Sequence, residues 1–334
     1  MRTDLNVSTN AVSINSALVL VRTPFQAWLV ERVLEAEKVA TYDLLYFTQN
    51  DSTEDRFYYG RLAENARAAR FVFVERQARD LLNHFRLALR AWPFLRGKQY
   101  DMTMLASIDS YVLNAIASRN AAGELVTFDD GTANFNREGV YFREAPSRKA
   151  RLYRQVFRAS SINSIKARIT RHYTIHADLE NIVGGDRLFS ITGWRYTKLE
   201  ADSNQRPKVF FIGAPFKETL DPEQIKLLET HALQIGINVY VRHPREREPL
   251  SLGVPLLNKH GRIAEEAILD NAAGRPIVLV GFLSSVMFNL AFCADRRIVL
   301  VPRGSERHAY LIELARQSGC EIVLFERPGD VDGR

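Results

Sequence analysis

The chain has 334 residues, 46% hydrophobic and 25% charged, which is the composition of an ordinary globular protein; this disfavours disordered, collagen-like and coiled-coil readings. Two cysteines, Cys293 and Cys320, exclude a disulfide scaffold and any CxxC zinc pattern, and fit a reducing compartment. Lys and Arg number 45 against 39 Asp and Glu, and the formal charge of +6 admits anionic partners: nucleic acid, a phospholipid surface, lipopolysaccharide phosphates or a nucleotide-activated substrate.

The opening MRTDLNVSTNAVSINS is polar, and the apolar run that follows stops at Arg22, far short of the roughly 18 residues of a membrane span. Neither a signal peptide nor a membrane anchor is therefore expected. From there short apolar runs alternate with segments of helical period, the pattern of parallel strands joined by crossover helices. The expected series is strand 17–22, helix 26–37, strand 42–48, helix 53–69, strand 70–74, helix 80–92, strand 100–106, helix 111–118 and strand 125–129. Residues 199–208, LEADSNQRPK, are polar with one proline and form the expected linker between an N-terminal module, 1–198, and a C-terminal one, 209–334. The second series is strand 209–213, helix 221–235, strand 238–242, helix 263–270, strand 276–281, helix 285–294, strand 297–302, helix 308–318 and strand 321–325. Two doubly wound α/β modules would face each other across a cleft, with functional loops at the carboxyl ends of the strands.

Between the two series, residues 145–177 contain no acidic residue but eight basic ones from Arg148 to Arg171. They form either a solvated helical face or an anion-binding surface. The segment LLNHFRLALRAWPFLRGK, 81–98, mixes apolar and basic residues, as core packing or peripheral contact with an anionic membrane would require.

Four local features could carry chemistry. In TFDDGTANF a strand ends in Asp129 and Asp130, followed by Gly131; one carboxylate should face the cleft, where it could accept a proton, although Asp-Gly is equally a turn signal. In VRHPRE, His243 is flanked by Arg242 and Arg245 and restrained by Pro244, which suits donation to a phosphate or a purely structural role. Ser284 and Ser285 follow a buried strand and cap a helix, leaving hydroxyls and free amides for an anion. Glu265 and Glu266 open a short helix, where they favour the dipole or could hold two ribose hydroxyls. No phosphate loop or nucleophile elbow is present, and His172, His176, Asp178 and Glu180 lack a ligand spacing, so no metal or cofactor is required.

In this order and spacing the motifs TPFQ (from Thr23 to Gln26), FDDGTAN, HYTIHADLENI, IGAPFKE, VRHPRE, AEEAIL and the Ser284–Ser285 turn resemble the bacterial lipooligosaccharide sialyltransferases of glycosyltransferase family 52, from Ala17 to Ala294. The resemblance implies an α/β fold of the GT-B type, with an acceptor-side first module and a CMP-sugar-binding second one. It also implies metal-independent, inverting transfer from CMP-sialic acid to a glycan such as lipooligosaccharide or capsule. It assigns His243 to the departing phosphate with Ser284 and Ser285, Glu265 to the ribose, and Gly213 and Pro244 to the cytidine pocket. Where some members carry an aspartate after the Gly-x-Pro motif, this chain has Phe216, so the base role shifts to Asp129 or Asp130, as in related sialyltransferase families, with Glu218 in reserve. Thr23, Gln26, Gly131 and Arg245 are further cleft candidates. The same substitution leaves open another nonulosonic acid or nucleotide sugar as donor, and an inactive anion-binding scaffold is the non-enzyme alternative. A cytoplasmic location is expected, with peripheral contact at the inner membrane and no nucleic-acid partner; a homodimer stays open.

Overall fold

The computed structural model describes residues 16–75, 80–143, 147–197, 206–246, 248–303 and 308–326. Among these, seven strands form one parallel sheet: β1 (Ala17–Val21), β2 (Tyr42–Thr48), β3 (Ala68–Phe73), β4 (Met102–Leu105), β5 (Glu124–Phe128), β6 (Ile169–Thr174) and β7 (Leu188–Ser190), in the order β3-β2-β1-β4-β5-β6-β7. Five more form a second parallel sheet: β8 (Lys208–Ile212), β9 (Val239–Val241), β10 (Ile277–Gly281), β11 (Arg296–Pro302) and β12 (Glu321–Phe325), in the order β12-β11-β10-β8-β9.

The crossovers of the first lobe are α1 (Pro24–Ala36), α2 (Thr53–Asn65), α3 (Asp80–Leu95), α4 (Tyr111–Arg119), α5 (Arg148–Phe157) and α6 (Ile162–Arg168). Those of the second are α7 (Phe216–Thr219), α8 (Pro222–Ile235), α9 (Ala264–Ala272), α10 (Ser285–Asn289) and α11 (Ala309–Gln317). Local chemistry sets their starts. Thr23 caps α1 with Pro24 at its first position, Ser52 and Asp55 form a capping box on α2, and Asp221 with Gln224 does the same for α8, which stops at left-handed Gly236.

β1 is buried on both sides, as a central parallel strand must be. Ala17, Val19 and Val21 join the core that continues through Trp28 and Phe135 into the second lobe, while Leu18 and Leu20 face a separate core under α3, α4 and α5. In each sheet the connections reverse direction between two adjacent strands, β1 and β4 in the first and β8 and β10 in the second, and the loops after them diverge to leave a crevice. The two crevices face one another. Around them the lobes are pinned together: Trp28 Nε1 and Tyr58 Oη donate to the Glu266 carboxylate at 2.9 and 2.6 Å, and His176 Nε2 meets Asn289 Oδ1 at 2.9 Å.

The expected elements recur with ends moved by a few residues, and β2 matches its expected bounds. The helix expected over 53–69 ends at Asn65, because Ala66 turns extended and Ala68 already pairs with Asp43 in the sheet. The helix expected over 285–294 is shorter, ending at Asn289 and followed by turns. β6 and β7 were not expected. Of the expected linker only residues 206–208 lie among those described, and Lys208 already belongs to β8. Part of the basic run is structural: Arg171 pairs with Glu37 and Glu124, and Arg168 reaches the carbonyls of Ala117 and Asn120.

Candidate active site

Between the lobes lies a cavity of about 490 Å³, within the range of small-molecule sites. The second lobe contributes its floor. Gly213, after β8, lines it, and a Cβ there would lie 2.6 Å from Glu246 Oε2 and 2.9 Å from the His243 amide nitrogen, so no larger residue fits without displacing the His243 loop. Glu246 is buried, accepts from the His243 amide at 3.2 Å and from the Tyr240 hydroxyl, and thereby fixes the loop after β9. Sequence reasoning gave Glu246 no role; nothing local distinguishes it from a surface glutamate.

His243 Nδ1 accepts the Arg245 amide at 3.0 Å, which puts the proton of the neutral ring on Nε2. Burial, together with the charges of Arg245 and Lys259, lowers its pKa to about 4. Near neutral pH the side chain is therefore a hydrogen-bond donor rather than a cation. Glu265, in the first turn of α9, is buried and accepts from Asn289 Nδ2 at 2.7 Å, and burial raises its pKa. Ser284 caps α10, its hydroxyl 3.4 Å from the Val286 amide, and Ser285 follows it on the cavity wall. Pro244, Arg245 and Lys259 complete this side; Lys259 is ion-paired to Glu54 of the first lobe.

Opposite stands Asp130. Its Oδ1 accepts from Gln26 Nε2 at 2.5 Å, and its Oδ2 from Tyr141 Oη at 2.7 Å and Ser107 Oγ at 3.0 Å. Asp129 does not reach the cavity. Consecutive residues at a strand end point to opposite sides, and Asp129 is fully buried, with Thr174 Oγ1 and the Ile175 amide both at 2.9 Å from Oδ2 and His172 Nε2 at 3.3 Å from Oδ1. The HYTI strand, β6, is what holds Asp129 inward. Gly131 has φ +60°, and a Cβ on it would lie 3.6 Å from that of Ser285, so the two walls nearly meet here.

Thr23 lines the cavity, whereas Gln26 lies fully buried beneath it and acts on Asp130. Glu218 lies outside the cavity lining, on the surface, 3.4 Å from Arg245, so the reserve position does not face the cavity. Phe216 is buried and stacked 5.9 Å from the Phe211 ring, pointing into the core of its own lobe. Ser107, Tyr141 and Asn289 carry no local signal of function; long-range contacts bring them to the site. Among the described residues no group of three or more His, Cys, Asp or Glu is arranged to hold a metal ion.

The arrangement sets hydroxyls, an imidazole N–H and cationic side chains against one wall, suited to a phosphate, and a carboxylate suited to accepting a proton against the other. Residues 44–303 match the model of glycosyltransferase family 52. The chain belongs to that family. As a family 52 glycosyltransferase it is similar to the N-acetyllactosaminide alpha-2,3-sialyltransferase of Haemophilus influenzae, 26% identical over an alignment of 287 positions that covers 82% of this chain and 88% of the relative. It is also similar to the CMP-N-acetylneuraminate:beta-galactoside alpha-2,3-sialyltransferase of Pasteurella multocida, 25% identical over 92% of this chain and 98% of that one. The solved structure of LpCGTa in complex with UDP shares the fold, at TM-score 0.54 and 12% identity, over 95% of this chain and 87% of that one. The two facing parallel-sheet lobes of this family 52 enzyme are the GT-B fold.

Proposed function

We propose that the enzyme transfers sialic acid from CMP-sialic acid to a terminal hydroxyl of a bacterial surface glycan, with inversion and without a metal ion. The observation that carries this reading is the convergence of His243, Glu265, Ser284 and Ser285 on one cavity wall, facing Asp130 on the other. The acceptor hydroxyl attacks the anomeric carbon, its proton passes to Asp130, and the bond from that carbon to the phosphate oxygen breaks. His243 Nε2–H and the serine hydroxyls meet the charge that develops on the departing CMP, and Glu265 holds the ribose. Base and phosphate groups on opposite walls favour attack from the face opposite the leaving group. The names of the Haemophilus and Pasteurella relatives support the donor and acceptor classes.

The assay is incubation with a galactoside and a panel of nucleotide sugars. Sialylated product and CMP are expected with CMP-sialic acid alone. Product from another nucleotide sugar and none from CMP-sialic acid would overturn the donor assignment.

The enzyme works, in this reading, at the cytoplasmic face of an anionic membrane. No helix among the described residues is long and apolar enough to cross one. α3 and α5, joined by Phe85 against Phe157 at 5.1 Å, leave Leu82, Phe85, Leu89, Leu152 and Val156 exposed, with Leu89 at 72%. Arg86, Arg148, Lys149 and Arg151 stand exposed beside them. An apolar face ringed by cations complements an anionic lipid surface.

A further inference from the structure

A second cavity, of about 280 Å³, opens in the first lobe beneath α3 and α5. It adjoins the nucleotide-side cavity: Arg22 and Gln49 line the second, while their chain neighbours Thr23 and Asn50 line the first. On its floor is Asp109, in the loop after β4. The buried Tyr141 hydroxyl that donates to Asp130 at 2.7 Å also lies 3.4 Å from Asp109 Oδ1, so this floor is one hydroxyl away from the proposed base.

The lining is chemically mixed. Asp109 accepts hydrogen bonds, Arg22 and Arg154 donate them, and Phe47 and Tyr111 add aromatic surface. A neutral pyranose needs this combination, because its hydroxyls donate and accept while its C–H faces are apolar. The volume matches one sugar ring.

Resting on the sialyltransferase reading, we infer that this cavity binds the terminal neutral sugar of the acceptor, with Asp109 taking hydroxyls adjacent to the one that Asp130 deprotonates. Asp109 is solvent-exposed, so its carboxylate is open to ligand hydroxyls, while desolvation by the surrounding crevice raises its pKa against the opposing charge of Arg22. The helices whose outer faces suit a membrane thus roof the acceptor pocket with their inner faces, through Asn83 and His84 of α3 and Ala150 and Arg154 of α5.

The test uses lactose as the neutral probe with two variants, Asp109→Asn, which weakens the hydroxyl contacts, and Ala150→Trp, which fills the cavity from α5. The lactose KM is expected to rise tenfold or more in both, with CMP affinity by calorimetry within twofold of wild type. A lactose KM within twofold of wild type in both variants overturns the assignment. If the wild type binds no CMP, the donor reading fails on its own. Saturation-transfer NMR of lactose then still decides this cavity: a wild-type signal lost in both variants supports it, and an unchanged signal refutes it.

Discussion

Replacing each member of the aspartate pair by asparagine separates catalysis from folding. In Asp130→Asn the amide oxygen can still accept from Gln26, and the amide nitrogen can donate to Ser107 and Tyr141, whose hydroxyls rotate to accept. The fold is therefore expected to survive with a loss of about 1–3 kcal/mol. The amide has no basic lone pair for a proton, so kcat should fall by about 10²–10⁴-fold, the usual loss for a missing general base. Asp129→Asn acts differently. Its Oδ2 accepts the Ile175 amide, a backbone donor that cannot reverse, so the new amide oxygen must stay there and the amide nitrogen must face His172 Nε2. The imidazole then has to move its proton to Nδ1, toward Thr127 Oγ1 at 2.7 Å. About 1–3 kcal/mol of stability is lost, and the Tm falls by several degrees, while kcat of the folded enzyme stays within a few-fold of wild type. Circular-dichroism melts and kcat at saturating donor and acceptor measure both quantities. Wild-type kcat in Asp130→Asn, or a hundredfold loss in Asp129→Asn with an unchanged Tm, would refute the assignment.

His243 should titrate near pH 4 in the free enzyme with the proton of its neutral form on Nε2, as nitrogen-15 NMR against a His243→Ala spectrum would show; a midpoint at or above 6 refutes the burial argument. Because this folded pKa lies below the ordinary 6.5, the neutral ring stabilises the fold fully above about pH 6.5, and that contribution is lost as the pH falls toward 4. Flotation with anionic liposomes should carry the enzyme upward at low salt, each basic residue near the surface adding on the order of 1 kcal/mol, and Leu89→Asp with Phe85→Asp should abolish it; binding that ignores both salt and these substitutions removes α3 as the docking face.

Much of the architecture is local in origin. β2 could be delimited residue by residue because a parallel strand covered on both faces is a mostly apolar run, here broken only by Asp43 and Thr48, and α8 to within a residue because Asp221, Pro222 and Gly236 mark its ends. β6 escaped because its ITRHYT pattern sits in an arginine-rich stretch, and the charge within the strand, Arg171, is paired with Glu37 and Glu124, far away in the chain. The second-lobe wall of the cavity was legible for a related reason: Gly213, His243, Glu265 and Ser284 each stand at or just beyond a strand end or helix start, positions that local pattern marks.

The direction of each carboxylate was not legible. Gln26, Ser107 and Tyr141 reach Asp130 from 104, 23 and 11 residues away, while β6 captures Asp129 from more than 40. That Phe216 packs its ring into the core on Phe211 had no local mark, and Asp109 carried no signal at all until α3 and α5 made it part of a cavity lining. Periodicity and capping report how the backbone is arranged over a few residues, so the amino-acid order alone determined most of the strands and helices and the motifs of the family. Which side chain faces the substrate depends on partners recruited across the sheet and between lobes, and that was decided only by tertiary packing.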